Sequence, residues 1–303
     1  MKRRILMRSI LWVLLLGSAP LSGQETAPSP VGNKAKLLKL ASGFSFTEGP
    51  SADKQGNIYF TDQDNNKILK WSVEGELSVF SDQSGRANGL YFDQHGMLWA
   101  CSDQNNEIWC FDAKGQPTIY LTDGYLNKKL NGPNDLWVTP DGTIYFTDPY
   151  YKRDWWNHAR EDQQNTQQVY GFKPGSRELT RLTDDLLQPN GIVGSPDGKY
   201  LYIADIQDGK TWKYTIQPDG TLGEKTLFAE MGSDGMTMDE KGNLYLTGNG
   251  VTIFNPKGIK IAHIPVEARW TSNVAFGGKR RNLLFITATE SIYQLEMNVR
   301  GAK

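Results

Sequence analysis

Six acidic or amide side chains recur at one position of a repeated pattern in this chain of 303 residues. Each stands eight residues before a turn residue, which is glycine in five repeats and Arg281 in the sixth. The six are Glu48, Asn88, Asn134, Asn190, Asp234 and Asn273. Asn and Asp also start strands and cap turns, but six in register, two of them acidic, favour a metal site. Carboxylate and amide oxygens without sulfur or imidazole suit a hard cation, so we predict Ca²⁺, with other divalent cations as alternatives.

The elements that would position these side chains follow from the repeat itself. Residues 58–71 align without a gap with residues 98–111. Similar apolar strands recur at Thr143–Thr147, Tyr200–Ala204, Asn243–Thr247 and Leu283–Thr287. Six units of about four short strands are typical of a β-propeller. We therefore predict an all-β, six-bladed propeller whose innermost strands point the six side chains, the ring residues, at a central channel. A β-sandwich is the alternative fold, but it would not explain a polar residue repeated six times.

The first and last units predict how the ring closes. In the first unit the expected strands are Pro50–Asp53, Asn57–Thr61, Ile68–Ser72 and Leu77–Ser81. The last unit, ending near Glu296, has only three strands. The strand-like segment Lys36–Ser42 belongs to none of the six repeated units. We therefore expect it to complete the last blade and to remove an open sheet edge.

The N-terminal 23 residues are predicted to be a secretory signal peptide. Four basic residues precede an apolar run from Ile10 to Leu16, and small residues follow. That run is too short to span a bilayer. We therefore expect a periplasmic or secreted protein, free of the membrane after cleavage, with one propeller domain over residues 24–303. The net charge of −1 gives no basic excess for nucleic acid, and the sequence does not indicate an oligomeric state.

The two cysteines, Cys101 and Cys110, flank one short polar stretch. They could sit on paired strands of a hairpin, where an exported protein permits a disulfide. Two buried free thiols agree with the sequence equally well.

Two unusually long loops are expected on the face where the ring residues begin. These are Asp123–Leu130 and Asp148–Gln167, and the second contains Tyr150, Tyr151, Trp155, Trp156 and His158. Long ordered loops above a channel are usually functional, and aromatic rings there could stack on a sugar. We predict a substrate-binding lid, with packing of the loop onto neighbouring blades as the alternative. No Gly-x-Ser-x-Gly, Walker or dinucleotide motif is present.

Five short motifs together resemble the gluconolactonase family, also called the regucalcin or senescence-marker family. They are Thr47-Glu-Gly-Pro50, Asn131-Gly-Pro-Asn-Asp-Leu136, Tyr145-Phe-Thr-Asp-Pro149, Pro189-Asn-Gly191 and Ser233-Asp-Gly-Met236. The resemblance covers residues 44 to 297 and implies a six-bladed propeller that hydrolyses lactones with one catalytic divalent metal. Its metal ligands correspond here to Glu48, Asn134, Asn190 and Asp234. Animal members carry an arginine before the metal-binding asparagine, where this chain has Gly132-Pro133.

The resemblance implies hydrolysis of a sugar lactone, such as glucono-1,5-lactone, by metal-activated water. Asp234, or alternatively Glu48, would take the proton from that water. The predicted substrate contacts are Asn88, Asn131, Asp148, Tyr150, Trp155, Trp156 and Asn273. The alternatives are an aryl-ester or phosphotriester hydrolase of the same propeller type and a non-catalytic sugar-binding propeller.

Overall fold

The computed structural model describes residues 29–121, 124–176 and 178–302. The predicted signal peptide lies outside the described residues, as does Asp123 at the start of the first long loop. The described residues form six four-stranded antiparallel sheets and one 3-10 turn at Arg160–Asp162. Among them, no helix has the length and apolar character needed to cross a membrane. The prediction of an all-β, six-bladed propeller is confirmed.

The strands follow the chain in order, four to a blade from the channel outward. The first strand is β1 (Leu38–Ser42), and blade one contains β2 (Thr47–Ala52), β3 (Ile58–Asp62), β4 (Lys67–Trp71) and β5 (Leu77–Ser81). Blade two contains β6 (Ala87–Phe92), β7 (Leu98–Ser102), β8 (Glu107–Phe111) and β9 (Pro117–Leu121). Blade three contains β10 (Leu136–Val138), β11 (Ile144–Asp148), β12 (Gln168–Phe172) and β13 (Thr180–Thr183).

The second half of the ring repeats the arrangement. Blade four contains β14 (Pro189–Gly194), β15 (Tyr200–Asp205), β16 (Lys210–Ile216) and β17 (Leu222–Ala229). Blade five contains β18 (Met236–Met238), β19 (Leu244–Gly248), β20 (Gly250–Phe254) and β21 (Lys260–Ile264). Blade six contains β22 (Asn273–Gly277), β23 (Leu283–Ala288) and β24 (Ser291–Glu296), and β1 is its outermost strand.

The ring closes as predicted, because β1 pairs antiparallel with β24, with Ser42 opposite Ser291. The inner strand of blade one begins at Thr47, three residues earlier than expected. Its pairing with β3 shifts register between Glu48 and Ser51. Such a bulge lets a strand stay paired while one stretch turns away from its partner, so pairing continues past a Gly-Pro pair that the sequence suggested as a boundary.

The core lies between neighbouring blades. The second strand of most blades is buried on both faces, and its aromatic residues include Phe60, Tyr145 and Phe285. Trp99 and Ile108 of blade two, for example, share one apolar cluster with Leu136 and Phe146 of blade three. Burying each large apolar side chain contributes roughly 2 kcal/mol, so each blade is stabilised by its two neighbours.

The two cysteines are free and buried. Cys101 on β7 stands opposite Ile108, whereas Cys110 on β8 stands opposite Trp99. The thiols are therefore two positions out of register. Burial raises the pKa of Cys101 well above its ordinary value, which makes it a poor nucleophile.

Candidate active site

The ring residues follow one another around the channel, and close backbone packing holds them there. A Cβ atom on Gly49 would lie 2.1 Å from the carbonyl oxygen of Asn88, and one on Gly235 would lie 1.9 Å from Cγ of Asn273. In each case the residue after one ring residue packs against the ring residue of the next blade. Only glycine fits such an approach, which explains why glycine follows Glu48, Asn88, Asn190 and Asp234.

Blade three departs from this pattern. Asp135 follows the ring residue Asn134, and its buried carboxylate accepts hydrogen bonds from the Leu136 amide at 2.9 Å and from Nδ2 of Asn273 at 3.4 Å. Nδ2 of Asn273 also donates to Oε2 of Glu48 at 3.2 Å. Burial raises the pKa of Asp135 to about 7. The sequence interpretation missed Asp135, although it stands where four other repeats carry glycine.

Two ring carboxylates lie close enough to repel each other. Glu48 is only 1% exposed, and its Oε2 accepts the amide of Gly49 at 2.8 Å. Burial, together with the negative charge of Asp234, raises the pKa of Glu48 well above its ordinary value. Burial also raises the pKa of Asp234 to about 6, although a hydrogen bond from Trp270 opposes the shift. A cation between the two carboxylates would favour their ionised forms.

Two ring amides present buried oxygens that lack partners. Oδ1 of Asn88 and Oδ1 of Asn190 have no hydrogen-bond partner in the part of the chain that the structure describes. Thr147 connects the backbones of Asn134 and Asn190. Its carbonyl accepts a hydrogen bond from the backbone N–H of Asn134 at 2.9 Å, and its hydroxyl donates to the backbone carbonyl of Asn190 at 2.7 Å. Leaving a buried carbonyl oxygen unpaired is costly, and a hard cation would supply the missing partner. These oxygens and the two carboxylates fit such a cation.

His, Cys, Asp and Glu alone do not form a metal cluster. Within the described ranges, no group of three or more of these side chains is placed so that it could hold a metal ion. A cation bound at the ring would therefore depend on the amide oxygens of asparagine as well as on carboxylates.

The long loop between β11 and β12 reaches the ring through Tyr151. The Tyr151 hydroxyl accepts a hydrogen bond from Nδ2 of Asn190 at 2.9 Å. Burial, followed by the charge of Asp234, raises the pKa of Tyr151, so the phenol stays protonated. Arg153 lies 5.6 Å from the centre of the Tyr151 ring and pairs with Asp103 at 2.7 Å. The loop therefore lies on the same face as Asn190 and Asp234.

The other aromatic residues of the loop contact protein groups. The Trp156 indole donates to the Asp103 carbonyl at 2.8 Å, and its ring lies 3.1 Å from the Cβ position of Gly132. Trp155 lies between Arg86 and Arg153, whose guanidinium groups are 4.7 and 5.4 Å from its ring centre. A Cβ atom at Gly132 would lie 2.8 Å from Oδ1 of Asp103 as well as 3.1 Å from the Trp156 ring, so the glycine leaves room for both side chains.

Tyr150 is held in the same way. The Arg160 guanidinium stacks 4.3 Å from its ring centre, and the Trp156 ring lies 5.9 Å away on a tilted plane. The three predicted substrate-binding aromatics, Tyr150, Trp155 and Trp156, thus make up the body of the loop. Tyr151, which was not among the predicted contacts, reaches the ring.

Asn131 and Asp148 hold the base of this loop. The Asp148 carboxylate accepts the backbone amides of Asn131 and Gly132, each at 2.9 Å. Nδ2 of Asn131 donates to the carbonyls of Asp148 at 3.1 Å and Thr166 at 2.9 Å. Both side chains are fully buried, and burial raises the pKa of Asp148 to about 7. These hydrogen bonds position the loop.

Trp270 is a further aromatic residue at the site, and the sequence interpretation did not assign it. Its indole donates to Oδ2 of Asp234 at 2.6 Å, and its ring packs 3.4 Å from the Cβ position of Gly248. The side chain remains 37% exposed. The sequence feature that could have identified Trp270 is its place in the link between blades five and six. That link returns to the face where the ring residues begin.

A cavity of about 670 Å³ continues along the channel on the other side of the ring. Its lining includes Asp135 and Asn273 next to the ring and Lys54 and Arg281 in turns of the opposite face. The ring thus separates this inner cavity from the loop-covered mouth.

Several known proteins are similar to this chain in sequence and architecture. The gluconolactonase of Zymomonas mobilis is 28% identical over 86% of this chain and 81% of its own length. The 6-deoxy-6-sulfogluconolactonase of Pseudomonas putida is 27% identical over 74% of this chain and 79% of its own length. A solved gluconolactonase from Xanthomonas campestris is 29% identical, with a TM-score of 0.78 over 88% of this chain and 91% of that one.

A more distant solved structure has the same fold. A calcium-binding regucalcin from Agrobacterium tumefaciens is 19% identical, with a TM-score of 0.72 over 88% of this chain and 95% of that one. The family model for the SMP-30/gluconolactonase/LRE-like region matches residues 46–290. That span includes all six ring residues and the long loop, and the chain belongs to the SMP-30/gluconolactonase/LRE-like family.

Proposed function

We propose that this protein is a metal-dependent hydrolase of sugar lactones, with Ca²⁺ as the preferred cation. One observation carries the proposal: the buried carboxylate of Glu48, the partly buried carboxylate of Asp234 and the unpartnered buried Oδ1 of Asn190 lie together at the mouth of one channel. The gluconolactonase relatives support a lactone as the substrate class.

The residues that would hold the cation are Glu48, Asn134, Asn190 and Asp234. A bound divalent cation polarises the lactone carbonyl and makes a water molecule more acidic. Asn88 is not needed as a ligand, so its unpartnered Oδ1 is free to accept a hydrogen bond from a sugar hydroxyl.

Asp234 is better placed than Glu48 to take the proton from the attacking water. Glu48 is fully enclosed, and its Oε2 is occupied by the Gly49 amide and by Asn273. Asp234 is only partly buried, and the Trp270 indole donates a hydrogen bond to its Oδ2. Burial raises the pKa of Asp234 in the metal-free protein, and a bound cation would favour the ionised carboxylate, which is the form that accepts a proton.

The deciding experiment is a hydrolysis assay on a panel of sugar lactones, with the protein stripped by chelator and then given back Ca²⁺ or Mg²⁺. We expect turnover of an aldonolactone that disappears with chelator and returns with Ca²⁺. Aryl esters and phosphotriesters belong in the same panel, since hydrolysis of those alone would favour the alternative hydrolase. Saturable binding of lactones without turnover would favour a sugar-binding protein.

Export remains part of this proposal. The basic, apolar and small-residue segments of residues 1–23 support it. Cell fractionation of the full chain, compared with a version lacking residues 2–23, tests it: only the full chain should leave the cytoplasm.

A further inference from the structure

We propose that Tyr151 is a catalytic residue of this site and that its hydroxyl donates a hydrogen bond to the lactone carbonyl oxygen. The inference rests on the proposed lactone hydrolysis and adds a residue that the family motifs do not contain. Tyr151 lies on the long loop, whereas every other group at the ring lies on or beside an innermost strand.

The orientation of the Asn190 amide decides which way the Tyr151 proton points. Oδ1 of Asn190 is the buried oxygen without a partner, and Nδ2 faces Tyr151. The opposite amide orientation would turn two N–H donors toward the ring of cation-binding oxygens. An asparagine that binds a cation through Oδ1 must therefore donate to Tyr151, so the phenol oxygen acts as acceptor at 2.9 Å.

The proton of the Tyr151 hydroxyl consequently has no acceptor. Among the hydrogen bonds within residues 29–121, 124–176 and 178–302, Tyr151 donates none. Its neighbours at the ring are Asp234 and Glu48, the groups assigned to the cation and the attacking water. A lactone carbonyl bound beside Asn190 would supply the missing acceptor. As water adds to the carbonyl carbon, negative charge collects on this oxygen, and a fixed donor stabilises that charge most strongly in the transition state.

The loop fixes Tyr151 from both sides in sequence. The backbone amide of Tyr150 donates to Oε1 of Gln167 at 2.7 Å, and the Tyr150 carbonyl accepts Nε2 of Gln188 at 3.4 Å. On the following side, Arg153 stacks on the Tyr151 ring and pairs with Asp103. A donor held in this way needs little rearrangement during the reaction.

The test compares Tyr151→Phe with Tyr120→Phe, a change of an exposed phenol on the outer strand β9 of blade two. Steady-state kinetics on the best lactone substrate are measured at saturating Ca²⁺, and Ca²⁺ affinity is measured separately by calorimetry. We expect Tyr151→Phe to lower kcat about 100-fold while KM and Ca²⁺ affinity stay close to those of the unmodified protein. Tyr120→Phe should change none of the three.

Two results would overturn the proposal. A Tyr151→Phe protein with unchanged kcat would show that the hydroxyl does not act in the reaction. A loss of Ca²⁺ affinity, with kcat restored by excess Ca²⁺, would show that Tyr151 only positions Asn190. Failure of the proposed function itself would look different, because the unmodified protein would then lack metal-dependent lactone turnover.

Discussion

The indole N–H of Trp270 donates a hydrogen bond to Oδ2 of Asp234 at 2.6 Å, across the link between blades five and six. This contact fixes the carboxylate that we assign as the base and turns an exposed aromatic face toward the channel mouth. It also couples a residue outside the repeat to one of the six repeated positions.

Trp270→Phe should therefore lower kcat/KM while keeping the aromatic surface. A hydrogen bond to a charged group contributes about 1.5–3 kcal/mol, so we expect a loss of roughly 10- to 100-fold. The measurement is steady-state kinetics of the lactone reaction. Trp270→Leu serves as the second variant, and its KM should rise further if the indole face also contacts the sugar. Unchanged kcat/KM in the Phe variant would contradict a positioning role for the indole.

Asp234→Asn should reduce activity far more than stability. The raised pKa of Asp234 shows that the apo protein holds its charge at a cost, and an amide of the same shape removes that cost. We expect kcat to fall about 1,000-fold, within the range for loss of a general base, with an unchanged or higher Tm. Thermal unfolding without metal and lactone kinetics with Ca²⁺ provide the two readouts. A large fall in Tm would instead identify Asp234 as a structural residue.

Glu48→Gln tests the cation more directly. The change removes one of the two anionic groups that would bind it, so Ca²⁺ affinity should fall by at least about tenfold, the effect of 1.4 kcal/mol. Calorimetric titration of Ca²⁺ checks this, with Asn273→Ala as the comparison, because Asn273 is not among the four proposed ligands. An equal loss in both variants would show that the ligand assignment is wrong.

Asp103 gives the protein a predictable dependence of stability on pH. Burial raises its pKa to about 6, and Arg153 only partly offsets the shift. Because the folded pKa lies above the unfolded value, Asp103 binds protons more readily in the folded state. Its contribution to stability is complete below about pH 4 and is lost as the pH rises to about 6.

Asp103→Asn cannot titrate, so its free energy of unfolding should fall less than that of the unmodified protein over the same interval. The difference should reach up to about 3 kcal/mol between pH 4 and pH 7. Urea unfolding at several pH values measures it. Two parallel pH curves would show that Asp103 does not titrate with the raised pKa.

The same ion pair should affect substrate binding. Ionised Asp103 holds Arg153, and Arg153 stacks on Tyr151 and Trp155. The KM of the unmodified protein should therefore decrease as the pH rises through about 6, whereas the KM of Asp103→Asn should change little. Lactone kinetics at pH 5 to 7, corrected for uncatalysed hydrolysis, provide the comparison.

The sequence repeat predicted the blades, the closing strand and the six ring positions because each depends on a local pattern of turn glycines and apolar strands. It did not predict the contacts that Asp135, Tyr151 and Trp270 make at the ring. Asp135 acts through Asn273 of a blade far away in sequence, and Trp270 and Tyr151 reach the ring from non-repeating connections. Side-chain direction in such connections follows from tertiary contacts, which strand periodicity does not encode.

The pairing of β1 with β24 bears on how this chain can fold. Blade six needs residues near both ends of the domain, and Glu48 meets Asn273 only when that blade is in place. A growing polypeptide can form its early blades, and all four proposed cation ligands are present once Asp234 has been synthesised, but the ring that holds them together closes only after Glu296. Contacts of such long sequence separation form slowly. Loading with metal should consequently be one of the last events in the maturation of this protein, and a chain truncated before β24 should be unable to retain the ion.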